Sequence, residues 1–381
     1  MQETNTQDTS RKKILIITNH SYMLYQFRRE LIRELMKENE VVLSMPFVGH
    51  EDDFKKMGLR CIETAVDRRG INPKTDLKLY CTYKALLKTE SPDMVITYSI
   101  KPNIYAGFAC RRLGIPYCVN VQGLGTAFQK EPIATVVTIM YKIALKKAKT
   151  VFFENEGNAA EFVKRGIIPA SRETVLKGAG VNLEVYKQQP YPDESKGIHI
   201  LFLGRIMKEK GVDELFTAAK NLKKKYGDKI IFDLVGFFED DYKETVERLD
   251  AEGVVRYLGF QADPKPFYAM SHCVVLPSYH EGMSNVLLEA AATGRALITS
   301  DIPGCREAVE DEVSGFLCRK MDAKDLERCL ERFMKLSTEE REMMGYRGRG
   351  KIEREFDKAA VVGKTVRGLG MRSVRRIDAV L

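Results

Sequence analysis

Two glutamates with seven residues between them, Glu281 and Glu289, sit in the run PSYHEGMSNVLLEAAATGRALITSD (277–301). The pattern reads as a strand ending at Pro277, a loop from Ser278 to Met283, and a helix from Asn285 to Ala292 with Ser284 as N-cap. A helix N-terminus presents unpaired N–H groups and a partial positive charge, which suits a diphosphate. At ~1.5 Å of rise per residue, Ser284 to Glu289 covers about 7–8 Å, roughly a diphosphate with a sugar at each end. One carboxylate would then accept bonds from the hydroxyls of one sugar and the other from a ribose diol. Taken alone, two glutamates at this spacing favour a plainer reading, a helix cap and a surface charge.

A second segment changes that balance. GRIMKEKG (204–211) directly follows an apolar strand. Gly204 lets the chain turn closely at the strand end. Arg205 and Lys210 put two cations where a diphosphate would gather charge as a bond to it breaks. An isolated basic loop would be read as solvated surface; two such elements, each after a strand, point to one site.

The elements that must position these residues alternate along the chain. Strands are expected at 13–18, 40–45, 93–98, 116–121 and 150–155, with helices such as 26–38, where Leu31, Ile32, Leu35 and Met36 share a face. The polar, proline-containing segment 188–197 interrupts the pattern and reads as a linker. Strands are then expected again at 198–204, 229–236, 254–259, 273–278 and 296–301. Such alternation predicts two doubly wound parallel sheets, with ligands outside the carboxyl ends of the strands. The expected divisions are a disordered leader over 1–10, a domain over 11–190, a second over 196–345, and a helix with a basic tail over 346–381 that packs back on the first domain.

Composition bounds the class. The 381 residues are 44% hydrophobic and 30% charged, as expected of a globular chain with two cores. No run approaches the roughly 20 apolar residues of a membrane span, and residues 1–10 lack the apolar stretch of a signal peptide. Eight cysteines without a C-x-x-C pair suggest buried, reduced thiols and a cytoplasmic setting. Five histidines without metal-site spacing argue against a protein-held metal. Residues 1–190 hold 29 Lys/Arg against 20 Asp/Glu, so the first half carries the positive excess. An anionic partner and a merely solvated surface explain it equally. In 132–150, Ile133, Val136, Val137, Met140 and Ile143 share a face, and Lys142, Lys146 and Lys149 stripe another. A core helix is the better account of that apolar face, with the lysines free to touch lipid.

G-R-x4-K-G followed by E-G-M-S-N-x3-E resembles the family-4 retaining glycosyltransferases of GT-B fold, in which two Rossmann-like domains face across a cleft. The resemblance implies that Arg205 and Lys210 bind the diphosphate of a nucleotide-sugar donor, that Glu281 holds the transferred hexose and that Glu289 holds the ribose. It also implies that the amides of Gly282, Met283, Ser284 and Asn285 contact phosphates and sugar, and that Phe260 to Asp263, Gln261 included, lie at the nucleobase. It implies no cofactor or metal beyond the nucleotide sugar. The run YSIKPNIYAGFACRRLGIPYCVNVQGLGTAF (98–128) resembles a narrower bacterial group of capsule, O-antigen and lipid-linked oligosaccharide transferases. That implies a UDP-hexose or UDP-N-acetylhexosamine donor and a polyprenyl-diphosphate-linked saccharide acceptor. The basic first half leaves room for peripheral contact with an anionic membrane, and no nucleic-acid partner is expected.

Two positions depart from the commoner family pattern. Asn19 and His20 stand where many members have a glycine pair, and Gln122 stands where many have a histidine. Gln122 cannot ionise, so its part there is hydrogen bonding. With Lys101, Asn103, Gly123 and Gly125, these are the candidate acceptor residues; for Lys101 and Asn103 a structural role is equally open. A sugar-nucleotide epimerase of the same fold and a non-catalytic nucleotide-sugar scaffold are the alternatives. A dinucleotide-binding dehydrogenase is a poor fit, because no G-x-G-x-x-G opens either half.

Overall fold

The computed structural model describes residues 11–67, 72–125, 128 and 131–371. The expected leader (1–10) and the end of the basic tail (372–381) lie outside the described residues. The chain forms two compact units, one of Met1–Leu176 with Val362–Leu381, the other of Lys177–Val361.

In the first unit seven strands run parallel in the order β3-β2-β1-β4-β5-β6-β7. They are β1 (Lys12–Ile17), β2 (Asn39–Met45), β3 (Arg60–Glu63), β4 (Met94–Tyr98), β5 (Tyr117–Val121), β6 (Val151–Phe153) and β7 (Glu173–Val175). Residues Ile14 to Ile17 and Val95 to Tyr98 are buried on both faces, as the centre of a parallel sheet demands. Helices α1 (Ser21–Met36), α2 (Glu51–Lys56), α3 (Pro73–Glu90), α4 (Ile100–Leu113), α5 (Ile133–Ala144) and α6 (Glu156–Lys164) connect the strands. Leu31, Ile32 and Leu35 of α1 are buried, as the periodicity predicts; Met36 is only half-buried.

Helix α5 corrects an expectation. Its buried residues are Ala134, Val137, Thr138, Tyr141 and Ala144, whereas Ile133, Val136, Ile139 and Ile143 are exposed. The small residues win the interior because α5 lies against α4 at close range. A Cβ added to Gly107 would sit 3.3 Å from Ala144. Tyr141 takes the remaining inward position and meets Phe162 edge-on at 5.0 Å. Of the expected apolar face, only Val137 is core.

The second unit repeats the order with six parallel strands, β10-β9-β8-β11-β12-β13. These are β8 (Ile198–Leu203), β9 (Ile230–Val235), β10 (Arg256–Tyr257), β11 (Cys273–Leu276), β12 (Ala296–Ser300) and β13 (Gly315–Cys318). Its helices are α7 (Val212–Tyr226), α8 (Lys243–Ala251), α9 (Lys265–Met270), α10 (Asn285–Ala292), α11 (Ala323–Lys335) and α12 (Thr338–Glu355). In each sheet the order reverses at a strand pair, β1/β4 and β8/β11, which is where such folds bind ligands.

The division falls at Lys177, ahead of the polar segment 188–197, which belongs to the second unit. The cause is ionic and hydrogen-bonded anchoring. Arg341 of α12 pairs with Glu194 at 2.7 Å, and buried Arg295 donates to the carbonyl of Pro190 at 2.7 Å. The last expected helix is two, because Val181 accepts its own strand-like partner at Phe356–Asp357 and breaks the run before α13 (Lys358–Gly368). The end of α13 is tied into the first unit, where Thr150 Oγ1 donates to the Gly368 carbonyl at 2.8 Å. All eight cysteines are free thiols. Among the described residues no helix is long and apolar enough to cross a membrane.

Candidate active site

The carboxyl ends of β8, β9 and β10 lie unusually close, and glycine makes that closeness feasible. A Cβ on Gly236 would stand 1.8 Å from the Gly204 carbonyl oxygen. The Gly204 amide donates to the Val235 carbonyl, and the Gly236 amide to that of Gly259, both at 2.9 Å. Ile206 is buried and its amide bonds to the Phe237 carbonyl at 2.8 Å, which fixes the loop after β8. Arg205, next to this anchor, is 43% exposed and stands 3.8 Å from Glu239. Its guanidinium is thus only loosely held.

The turn Lys208–Lys210 is then pressed onto the loop after β11. Gly211 has φ 72°, and a Cβ there would lie 2.0 Å from the Pro277 carbonyl oxygen. The Tyr279 amide donates to the Glu209 carbonyl at 2.8 Å, and the Tyr279 hydroxyl reaches Glu214. The result is a contact between the two sequence motifs. Lys210 Nζ meets Glu281 Oε1 at 2.5 Å, and Ser278 Oγ donates to the same oxygen at 2.8 Å. Both charged side chains are mostly buried, 17% and 13% exposed.

Beyond Glu281 the chain is held by Gly304. A Cβ there would approach the Gly282 carbonyl oxygen to 2.5 Å, and the Gly304 carbonyl accepts the Ser284 amide at 2.8 Å. Ser284 also caps α10, accepting from Leu287. Its amide is therefore already engaged, which removes it from the expected set of phosphate donors. Met283 is buried in the core against Gly178 and offers no side chain to a ligand. Asn285 and Val286 open α10, and their amides have no acceptor within the helix.

Glu289, one turn on, accepts a hydrogen bond from the buried Tyr268 hydroxyl at 2.9 Å. Burial pushes its carboxyl up to about 7, against the opposing bonds from Tyr268 and Tyr186 and the charge of Lys358. Phe260, after β10, is 55% exposed and meets Phe237, after β9, edge-on at 6.0 Å. An exposed aromatic pair at strand ends is a ready stacking surface for a planar ring. Gln261 folds its amide back onto the Leu258 carbonyl at 2.7 Å.

The first unit brings together a smaller cluster. His20 is the N-cap of α1, its Nδ1 accepting from the Met23 amide at 3.4 Å, with half-buried Asn19 beside it. Gln122 donates through Nε2 to Met23 Sδ at 3.1 Å and accepts from Ser99 Oγ at 3.4 Å. Gly123 and Gly125 follow; Gly125 has φ 65° and lies against Ile100. Lys101 and Asn103 take structural roles. Lys101 pairs with buried Asp76 of α3 at 2.9 Å, and Asn103, 1% exposed, donates to the Asn120 carbonyl at 2.8 Å. Both side chains are spent on holding α4 in place.

Residues 13–155 match the family model "Glycosyl transferase 4-like", and residues 187–351 match "Glycosyl transferases group 1". The chain belongs to the family-4 glycosyltransferases. The transferase is 29% identical over 333 residues to the N,N'-diacetylbacillosaminyl-diphospho-undecaprenol alpha-1,3-N-acetylgalactosaminyltransferase of Campylobacter jejuni, covering 82% of this chain and 87% of that one. It is 26% identical to the UDP-Gal:alpha-D-GlcNAc-diphosphoundecaprenol alpha-1,3-galactosyltransferase of Escherichia coli, over 67% of this chain and 69% of that one. The fold matches that of Anabaena HepE, solved in complex with UDP and glucose, with a TM-score of 0.77 at 16% identity, covering 94% and 100% of the two chains. The fold is GT-B.

Three residues of the transferase's candidate site escaped the sequence reading. Phe237 lay in a strand-end Phe-Phe pair that periodicity assigned to no role. Gly304 sits in a loop whose only signal was Pro-Gly. Ser99 has φ 76°, in the left-handed region that costs a non-glycine residue of order 1–3 kcal/mol. No sequence pattern announces that conformation.

Proposed function

We propose that the transferase moves a hexose or N-acetylhexosamine, with retention, from a UDP-sugar to a saccharide carried on a polyprenyl diphosphate. The contact of Lys210 with Glu281, in front of the first turn of α10, is the observation that carries this reading. As the bond between the sugar C1 and the phosphate oxygen breaks, negative charge grows on the departing diphosphate. Arg205, Lys210 and the helix amides lie where they can balance it, and a preorganised donor at such a place is worth roughly 10²–10³ in rate. Glu281 accepts bonds from sugar hydroxyls and exchanges its contact with Lys210 for them. The acceptor hydroxyl attacks C1 from the face the diphosphate leaves, and its proton passes to the departing phosphate oxygen. No resident metal is required in this scheme, because the cations are side chains.

The names of two relatives support the acceptor: both specify a diphospho-undecaprenol-linked sugar. One specifies UDP-Gal, and a structure of the same fold holds UDP. The uracil would stack on the exposed Phe237–Phe260 pair, and Glu289 would meet the ribose. The place of action is the cytoplasmic face of a membrane carrying the acceptor, in the synthesis of a surface polysaccharide or glycan.

The test is a panel of UDP-sugars offered with short-chain prenyl-diphosphate saccharides, with and without a chelator. Release of UDP with an α-linked product, insensitive to chelation, is expected. Glu281→Ala and Lys210→Ala should each lose transfer while keeping the fold by circular dichroism; wild-type turnover in both would sink the assignment. Interconversion of free UDP-sugars would instead assign an epimerase, and UDP-sugar binding without turnover a scaffold.

A further inference from the structure

Glu289 is gripped by side chains to which the reaction above gives no part. The Tyr268 hydroxyl donates to its Oε2 at 2.9 Å, and the Tyr186 hydroxyl donates to the same carboxylate. The two phenol rings meet edge-on, with centroids 6.2 Å apart. Lys358, nearly buried at the start of α13, adds a charge that favours the ionised form. Burial and the neighbouring carboxylate push the Tyr268 phenol well above its ordinary value, so it remains a donor.

The backbones that carry the two phenols are pinned by arginines. Arg295 is fully buried, and its guanidinium goes to main-chain carbonyls, Nε to Tyr268 at 2.9 Å and Nη2 to Pro190 at 2.7 Å. Arg349 Nη1 donates to the Tyr186 carbonyl at 2.7 Å and to that of Ala292, at the end of α10, at 2.5 Å. Desolvating a guanidinium is costly unless its donors are satisfied. Here the two cations fix α9 and the segment before β8, whose phenols converge on Glu289.

A carboxylate offers about four lone-pair directions. The phenols take two, and the two that remain match the two hydroxyls of a ribose diol. We propose that Tyr268 and Tyr186 are positioning residues, which lock the Glu289 carboxylate toward the diol and so make the site select a ribonucleotide over its 2'-deoxy analogue. This rests on the reading of Glu289 as the ribose partner. A site built to bond a hydroxyl rejects the analogue that lacks it, because the oxygen left behind has no partner. An unlocked carboxylate can turn aside, and the discrimination is lost.

Calorimetry of UDP and 2'-deoxy-UDP binding to the full chain between pH 6 and 9 tests the assignment. The wild type should prefer UDP by about tenfold or more at pH 9, where Glu289 is ionised. Tyr268→Phe and Tyr186→Phe each keep the ring and remove one donor to the charged form. Glu289 then holds its proton to higher pH, so the inflection in UDP affinity should rise by about one pH unit. At pH 7 that lowers UDP affinity about fivefold, and the loss should vanish by pH 9. The double variant should also narrow the UDP preference at pH 9 about threefold or more. Tyr83→Phe deletes an equally buried hydroxyl in the first unit and should change none of these. A wild-type inflection and preference in the double variant overturns the inference. So does an equal loss of both ligands at every pH, which is what lost packing would give. Glu289→Ala separates the two proposals. If it binds UDP like the wild type, the ribose reading fails and the role of the tyrosines with it. If it loses UDP while the phenylalanine variants keep the wild-type profile, only the role of the tyrosines fails.

Discussion

Each unit contains a lysine–carboxylate pair of nearly the same burial, and the two pairs have different surroundings. Lys101 and Asp76, 12% and 7% exposed, join two helices that flank the first sheet. Lys210 and Glu281, 17% and 13% exposed, join two loops beyond the ends of β8 and β11. The neighbours decide the difference. The first pair sits between regular elements packed side by side. The second sits among glycines that draw backbones together and before a helix start with free amides. Burial alone therefore does not tell a scaffold pair from a candidate site pair; the setting between packed helices or between loops does.

Replacing each lysine by methionine should split the comparison most sharply. Lys210→Met is expected to lower kcat per folded molecule at least 10²-fold, beside a loss of stability from stranding Glu281. Lys101→Met strands Asp76 without its partner and should cost about 3 kcal/mol in denaturant unfolding, with kcat per folded molecule unchanged. The assignment of roles fails if the two variants show the same pattern.

Gly211→Ala tests the backbone part of the same contrast. The new Cβ would meet the Pro277 carbonyl at 2.0 Å, so the turn must shift and carry Lys210 away from Glu281. A displacement of that size should cost roughly 10²-fold in transfer. Gly227, with φ 56° and nothing within 4 Å, is the control. Gly227→Ala should cost roughly 1–3 kcal/mol in stability and nothing in rate per folded molecule.

Glu289 gives a smaller, pH-dependent effect. Its carboxyl is raised from 4.5 to about 7, so near neutrality the folded protein holds the proton that the unfolded chain has released. The stability this group contributes is full below 4.5 and is lost as pH rises through 7. Glu289→Gln should therefore be the more stable form above that value. Only the carboxylate accepts hydrogen bonds from both ribose hydroxyls. UDP affinity by calorimetry should fall about tenfold one pH unit below 7, with proton release on binding above the background. A flat profile in the wild type, or the same profile in Glu289→Gln, would remove Glu289 from the ribose.

Much of this was legible in the residue order. Long β-branched runs marked ten strands because a parallel sheet buries both faces. Arg60–Glu63, Glu173–Val175 and Gly315–Cys318 gave no such run: the first two are edge pieces that bury little, and the third, though buried, has no β-branched residue. Glu281 and Lys210 were legible as types and spacing, but their contact was not, because it depends on Gly211 and Pro277 meeting backbone to backbone. The face of α5 was misjudged for a related reason. Periodicity finds an apolar stripe, yet alanines opposite Gly107 pack more closely than isoleucines, so the larger side chains were left outside. In the first unit, Lys101 and Asn103 carried the right chemistry for a site and were absorbed by the scaffold.

His20 offers the finest test of that last distinction. It caps α1 through Nδ1, a role that asparagine fills as well and alanine cannot. His20→Ala should cost about 1 kcal/mol in stability, and His20→Asn should restore it. If capping is all that His20 does, both variants keep the KM for the acceptor, and the first unit's candidate cluster loses its imidazole. If its other ring nitrogen also meets the acceptor, His20→Asn regains stability while its acceptor KM stays several-fold high. Only the imidazole places a second polar atom beyond the one that caps the helix, so a separation of stability from KM would assign His20 to the substrate rather than to the fold.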